Sequence, residues 1–316
     1  MAVTPRFGGA LRVTVYAPIW VVNKTGLPLV FRQEGSQAEA AGQESEHEVA
    51  RMAAPLMFSF LEREGNQSIA MRVGTGLHPD GKATWCRHFY VQAGSKVRKL
   101  RVVPRDNRVE WVYIIGIEVR AGKGRYTNTS IITLAPRFQL HNQSIHKIHF
   151  AQKCFSTNFK DPEAEATHLL AFPQSTFAFH WPRLDRDQLL CIRLLDVADC
   201  QWSGGFGIEG VNSFHVTVRD GQGRGTFIRV EIEMLGATYA VIITDAGNFP
   251  PPFRIDNFSE VSITYYQTGV QEDAMRSVVK AHHSVPYAWD EPTLPPHITC
   301  NAPGGSSATY NMNVIG

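Results

Sequence analysis

The 316 residues predict an all-β protein built of tandem β-sandwich repeats, with few short helices. Three observations predict it. Apolar and polar residues alternate with a period of two over many short stretches. Clusters of Gly, Pro, Asn, Asp and Ser separate those stretches at regular spacing. One pattern of residues returns twice downstream, at an interval that suits a whole sandwich. Hydrophobic residues make up 43 % of the chain and charged residues 19 %, which supplies a core and excludes a disordered chain.

The strands follow in order. Glu110 to Val119 and Ser130 to Leu134 read as strands. So do Trp85 to Gln92 and Lys96 to Val103, which read as a pair joined through Ala93-Gly94-Ser95. Phe214, Val216 and Val218 alternate with polar neighbours, and Ile228, Val230, Ile232 and Met234 do the same after Asp220-Gly221-Gln222-Gly223-Arg224-Gly225. That spacing predicts a half-buried hairpin around a glycine-rich turn. Tyr239 to Ile243 is apolar throughout, as in a strand covered on both faces. Short helices fit Glu44 to Ala54, Pro162 to Phe172 and Glu272 to His283, all between strand-rich blocks.

The repeat carries most information. Its blocks start at Ile19-Trp20-Val21-Val22-Asn23-Lys24-Thr25, Phe138-Gln139-Leu140-His141-Asn142-Gln143-Ser144 and Phe253-Arg254-Ile255-Asp256-Asn257-Phe258-Ser259. Counted from each Asn, apolar residues stand at −4 and −2, Thr or Ser at +2, and an aliphatic at +6 (Leu29, Ile148, Ile263). An aromatic stands at +8 (Phe31, Phe150, Tyr265) and Gln at +10 (Gln33, Gln152, Gln267). An aromatic-x-aromatic step follows each block: Phe58/Phe60, Phe179/Trp181, Tyr287/Trp289. Each block reads as strand, turn, strand. The turn is held by Asn and Ser/Thr side chains bonding nearby backbone, and the even offsets put the apolar members on one sheet face. The interval of about 115–119 residues suits one sandwich per repeat. The expected organisation is a repeat over 11–128, a second over 129–248 and a partial third over 249–316.

Composition bounds the function. A net charge of +2 produces no global field for nucleic acid or anionic membrane. Five widely spaced cysteines without a CxxC fit a reduced, intracellular setting. The first residues lack the apolar run of a signal peptide, and no stretch reaches membrane-spanning length, so a cytoplasmic protein is expected.

Rival chemistries fare poorly. Asn23, Asn66, Asn128, Asn142 and Asn257 head glycosylation sequons, which count only in a secreted protein. His141, His146 and His149 with Cys154 lack metal geometry, because strand positions three apart face opposite ways. Cys191 and Cys200 lack a zinc-like partner pair. Gly221, Gly223 and Gly225 are followed by a strand pattern, not by the helix that a phosphate loop needs. Lys96, Arg98, Lys99, Arg101 and Arg105 form a local basic cluster, readable as a solvated strand edge or as a contact for anionic headgroups. No nucleophile elbow or zinc-protease motif occurs. No catalytic residue, metal ligand or cofactor is expected. The alternative kept open is a secreted β-sandwich lectin or glycan-processing enzyme.

Tyr16-Ala17-Pro18-Ile19-Trp20-Val21-Val22-Asn23-Lys24-Thr25-Gly26-Leu27-Pro28-Leu29 resembles the start of the SHR-binding region of the vacuolar protein sorting-associated protein 13 family. Val285-Pro286-Tyr287-Ala288-Trp289-Asp290-Glu291-Pro292-Thr293-Leu294-Pro295 resembles a second signature of that region, and both are worded most like the D paralogue. The resemblance implies a non-catalytic adaptor-binding region of a bridge-like lipid-transfer protein, built of β-rich repeats each with a characteristic Asn. It implies partners that are organelle adaptors carrying short proline-containing motifs. Membrane association would then be peripheral, at organelle contact sites in vacuolar or endosomal sorting and mitochondrial organisation. Carried over by position, the repeat asparagines are Asn23, Asn142 and Asn257, with a structural or adaptor-binding role.

Overall fold

The computed structural model describes residues 2–5, 8–37, 55–61, 67–106, 108–156, 162–247, 249–270 and 275–314. The fold is all-β, with about 50 % strand and 4 % helix. Two compact units are present. One holds Met1–Arg137, Ala178–His180 and Leu235–Thr238; the other holds the remaining residues to Gly316.

The first unit opens with a hairpin of β1 (Ala2–Pro5) and β2 (Leu11–Thr14). Its strands continue as β3 (Ile19–Asn23), β4 (Leu29–Gln33), β5 (Leu56–Phe58), β6 (Ser68–Val73), β7 (Gly81–Thr84), β8 (Phe89–Tyr90), β9 (Gly94–Pro104), β10 (Trp111–Ala121) and β11 (Ser130–Pro136). They form a six-stranded sheet, β5-β3-β11-β10-β9-β7, and a three-stranded sheet, β4-β6-β8. Ile19, Val21, Ile115, Ile117, Ile132 and Leu134 of the larger sheet meet Leu29, Phe31, Ile69, Met71 and Phe89 of the smaller in one buried cluster. Each such side chain contributes about 1.5–3 kcal/mol of burial, the dominant stabilising term of a sandwich. The alternation of β9 shows the mechanism. Leu100, Val102 and Pro104 are buried while Lys99, Arg101 and Val103 are exposed.

The chain then forms β12 (Phe138–Asn142), β13 (Ile148–Gln152), β14 (Leu169–Ala171), β15 (Ser175–Phe179), β16 (Leu190–Leu194), β17 (Asn212–Arg219), β18 (Gly225–Leu235) and β19 (Thr238–Asp245). A five-stranded sheet, β15-β12-β19-β18-β17, goes with a three-stranded one, β14-β13-β16. Last come β20 (Phe253–Asp256), β21 (Ile263–Gln267), β22 (Ser277–Val279), β23 (Ser284–Tyr287), β24 (His297–Asn301) and β25 (Ser307–Asn311). They make a pair, β20-β23, and a four-stranded sheet, β22-β21-β24-β25. A small core of Tyr265, Val279, Tyr287 and Ile298 lies with Phe253, Ile255 and Ile263 packed against it.

Three expectations are corrected. First, the strands on either side of each repeat Asn belong to different sheets: β3 and β4, β12 and β13, β20 and β21. In the first unit both strands of the block face one core from opposite sheets, so the apolar members lie on two inner faces rather than one. Second, Trp85 to Gln92 does not pair with Lys96 to Val103. Phe89 and Tyr90 pair with β6 in the smaller sheet, whereas β9 pairs with β10 and β7. Third, of Pro162 to Phe172 only Pro162–Glu165 is helical, because Leu169–Ala171 pairs with β13. Within Glu272 to His283, β-branched Val278 and Val279 lie in strand β22; Glu272–Ala274 and Glu44 to Ala54 lie outside the described residues. Ser130–Leu134 of β11 pairs in parallel with β3 in the larger sheet of the first unit.

Candidate functional site

The three turns are one device built three times. Asn23 Oδ1 accepts hydrogen bonds from the Thr25 N–H at 3.0 Å and the Thr25 hydroxyl at 2.6 Å, while its amide donates to Leu27 O at 2.7 Å. Asn142 Oδ1 accepts from the Ser144 N–H and hydroxyl, and its amide donates to His146 O at 2.8 Å and Ala171 O at 3.2 Å. Asn257 Oδ1 accepts from the Ser259 N–H and hydroxyl, and its amide donates to Val261 O, Val279 O and Lys280 O. The hydroxyl of Thr25, Ser144 or Ser259 then accepts from the N–H two residues on. The geometry explains the motif. Asn has an acceptor for the returning N–H and donors for the carbonyls where the chain leaves one sheet for the other.

A second device uses the Gln ten residues on. Gln152 donates to Arg183 O and Asp187 O and accepts from the Arg183 N–H. Gln267 donates to Glu291 O and accepts from the Glu291 N–H, both at 2.9 Å. Gln33 Oε1 accepts from the Leu61 N–H at 2.8 Å. Leu61, Arg183 and Glu291 stand one or two places after the aromatic-x-aromatic step, and Asp187 stands six places after it. The Gln spacing was legible in the sequence; its backbone partner, 24–35 residues away, was not.

Outside these devices the flagged residues separate. His146 Nδ1 lies 2.8 Å from Asp196 Oδ2, His141 Nδ1 bonds Thr176 Oγ1, and His149 faces Arg193 across the strand pair. Cys154 is exposed, Cys191 is buried, and all five cysteines are free. Burial pushes the Cys191 thiol up to about 11. In the basic cluster, Lys96 donates to Tyr90 O and Gln92 O, Arg98 donates to Arg87 O and His88 O, and Arg101 pairs with Glu110. Lys96 thereby ties the β8–β9 connection to β9, and Arg98 ties down the segment before β8.

The sequence reading missed a buried ion pair. Arg219, at the end of β17, donates to both oxygens of Asp290 at 2.6 and 2.9 Å, with the two side chains 7 % and 3 % exposed. Around it the Thr217 N–H donates to Trp289 O and the Thr217 hydroxyl to Ala288 O. Burial pushes the Asp290 carboxyl up, and the two guanidinium bonds oppose that.

The edges of the sheets are the free backbone. In the first unit a cleft of about 570 Å³ lies past the C-terminal end of β5, at the starts of β3 and β11, lined by Tyr16, Pro18, Phe60, Val91, Asn128 and Ser130 among others. Side-chain amide and hydroxyl groups there, beside the rings of Tyr16 and Phe60, offer hydrogen bonds and ring contacts to an extended segment.

The family profile "Vacuolar-sorting associated protein 13, adaptor binding domain" matches residues 2–295. The chain belongs to that family. Among its relatives, the human intermembrane lipid transfer protein VPS13D is 47 % identical over 309 residues, which are 98 % of this chain and 7 % of the relative. The Drosophila melanogaster protein Vps13D is 38 % identical over 97 % of this chain and 8 % of its own length. VPS13 of Chaetomium thermophilum is 29 % identical over 91 % of this chain and 9 % of its own length. This VPS13-type adaptor-binding domain thus spans less than a tenth of each of these relatives. Membership does not favour the lectin or glycan-processing alternative. No helix among the described residues is long and apolar enough to cross a membrane.

Proposed function

We propose that this domain docks short, extended, proline-containing segments of organelle adaptors, and so brings a lipid-transfer protein to chosen membrane contact sites. The observation that carries the reading is the cleft past the end of β5, where Tyr16, Phe60 and Pro18 line a groove near what is an edge strand among the described residues. Such an edge offers main-chain hydrogen bonds to an added strand, and aromatic walls receive proline rings, which need no donor. The names of the relatives, intermembrane lipid transfer proteins, support the wider role.

In this reading the repeat asparagines brace the docking scaffold and do not touch the adaptor. Asn142 spends its amide and its oxygen on four bonds within the chain and is 0 % exposed. The test is titration of the purified chain with adaptor-derived peptides beside proline-to-alanine controls, for native protein and for Phe60→Ala. Saturable micromolar binding, lost in the controls and weakened ~10-fold or more by Phe60→Ala, is expected. Binding that ignores the prolines, or no binding by a folded chain, overturns the reading.

A further inference from the structure

We infer that the outer face of the smaller sheet in the second repeat binds the phosphate group of a phosphorylated serine or threonine in a partner segment. The site is a cluster of basic side chains around one indole. Ile148 and Phe150 of β13 are fully buried in the core, so His149 between them faces outward, opposite Arg193 of β16. The Arg193 guanidinium lies over the Trp202 ring at 4.8 Å, and its Nη2 is 3.4 Å from His149 Nδ1. His168 closes the cluster, its ring centroid 5.8 Å from that of His149 and 4.9 Å from that of Trp202. Trp202 packs on Ala151 and Cys191 and is buried, a fixed floor, whereas His149, His168 and Arg193 are part-exposed.

The donors are in place and little used. Arginine only donates, so His149 accepts at Nδ1 and its neutral ring carries the proton on Nε2. A carbonyl only accepts, so His168 donates from Nε2 to Phe155 O at 2.9 Å, which fixes that ring. Among the described residues the Arg193 guanidinium makes no hydrogen bond besides the one to His149, and no carboxylate forms an ion pair with any of the three basic groups. Burial, then Arg193 and His168, hold His149 below the ordinary imidazole range. Glu165, at the end of the short helix Pro162–Glu165, opposes that shift without pairing.

The first repeat shares the framework but not the histidines. Its Arg72 stands opposite Val30 as Arg193 stands opposite His149, and lies 5.1 Å from the Trp85 ring. Trp85 precedes Cys86, whose N–H donates to Met71 O, as Trp202 precedes Ser203, whose N–H donates to Ile192 O. Val30 in the first repeat and Thr264 in the third occupy the place of His149. The arginine on tryptophan is therefore scaffold, and the imidazoles are the second repeat's addition. Basic groups packed together disfavour charge on one another until an anion joins them. A phosphate monoester brings about −1.5 to −2 charge and three acceptor oxygens, enough for the arginine fork and the His149 Nε2–H at once. Glu165 bounds the cluster on one side, which suits a single phosphate better than a broad anionic bilayer.

The test uses the full chain and a short glycine-rich peptide carrying one phosphoserine. Beside it are run the unphosphorylated peptide, inorganic phosphate, and phosphatidylcholine vesicles containing phosphatidylserine. Binding is followed by NMR at the imidazoles of His149 and His168. The phosphopeptide is expected to shift both saturably, with a Kd of ~10 µM to 1 mM, inorganic phosphate to compete with it, and the plain peptide to do nothing. His149→Val weakens binding ~10-fold or more as read at His168, and it leaves the urea midpoint in place, because the first repeat folds with valine there. Glu165→Gln tightens binding ~2-fold or more. The inference is overturned by a phosphopeptide that moves neither ring, whether or not vesicles do, by a plain peptide that binds as well, or by unchanged affinity in both variants. Phe60→Ala leaves these readouts as they are, so failure of the docking cleft and failure of this site are told apart.

Discussion

At the scale of the residue, the asparagine brace makes a ranking that stability measurements check. Removing the Asn142 side chain orphans His146 O, Ala171 O and the Ser144 donors in a fully buried place. Each unsatisfied buried group costs about 1–3 kcal/mol, so Asn142→Ala is expected to lose about 3 kcal/mol or more in urea unfolding. Among the described residues Asn23 donates to Leu27 O alone, and it is part-exposed, so Asn23→Ala costs less, about 1–2 kcal/mol. Equal losses at the two sites would contradict the role assigned to the second-strand carbonyls. The brace was legible in the sequence because Asn and Ser/Thr act on backbone two to four residues away. The Ala171 and Val279 carbonyls were not, because they arrive from distant strands. His180 was equally invisible. Both its ring nitrogens are buried without a partner, Tyr113 lies edge-on at 5.0 Å, and burial lowers its pKa to about 4. The unfolded chain, with an ordinary His near 6.5, therefore binds a proton that the folded one refuses between pH 6.5 and 4. Stability from this group is present above pH 6.5 and falls as the pH drops toward 4, by about 3 kcal/mol. His180→Phe is expected to flatten that part of the pH–stability curve; an unchanged curve would show that other groups carry it.

At the scale of the element, the period-two pattern located strands well and sheets poorly. Alternation records which side of a strand faces a core, and β9 and β18 were legible for that reason, whereas β17, expected half-buried, is buried on both faces from His215 to Arg219. It does not record which of two facing sheets a strand joins. Phe89 and Tyr90 look like the partner of β9 by proximity, yet their neighbour is β6, since a chain crossing between layers leaves no local mark. Helical readings failed where β-branched and aliphatic residues found a ladder, as Leu169–Ala171 and Ser277–Val279 do. The Gln clamps act at this scale. Gln152 and Gln267 each fix the segment after an aromatic step by two or three bonds to backbone, from sites 1 % exposed. Gln267→Leu fills the same space and leaves the Glu291 N–H and carbonyl without their partner. Faster amide exchange at Glu291 and a loss of about 2 kcal/mol are expected. Unchanged protection at Glu291 would show that the neighbouring bonds hold the segment unaided.

At the scale of the whole molecule, the buried Arg219–Asp290 pair decides whether the second and third repeats unfold together. Asp290 follows the second signature's Trp289, whose carbonyl accepts from the Thr217 N–H, and Trp289 forms a parallel bridge with Val216. Gly204 passes so close that an added Cβ would stand 2.2 Å from Asp290 O, so a side chain there forces the segment away. A buried ion pair is weak in net terms, but one partner without the other is costly, because a desolvated charge remains. Asp290→Ala is expected to destabilise by about 3–5 kcal/mol, while Arg219→Met with Asp290→Leu recovers most of that. Limited proteolysis adds the structural readout. In native protein and in the double variant, residues after Phe249 resist cleavage as long as β17 does. In Asp290→Ala, the third repeat is cut first while β12 to β19 remain intact. If instead all three proteins are degraded in one step at one rate, the ion pair does not couple the repeats, and the hydrogen bonds of Thr217 carry the seam.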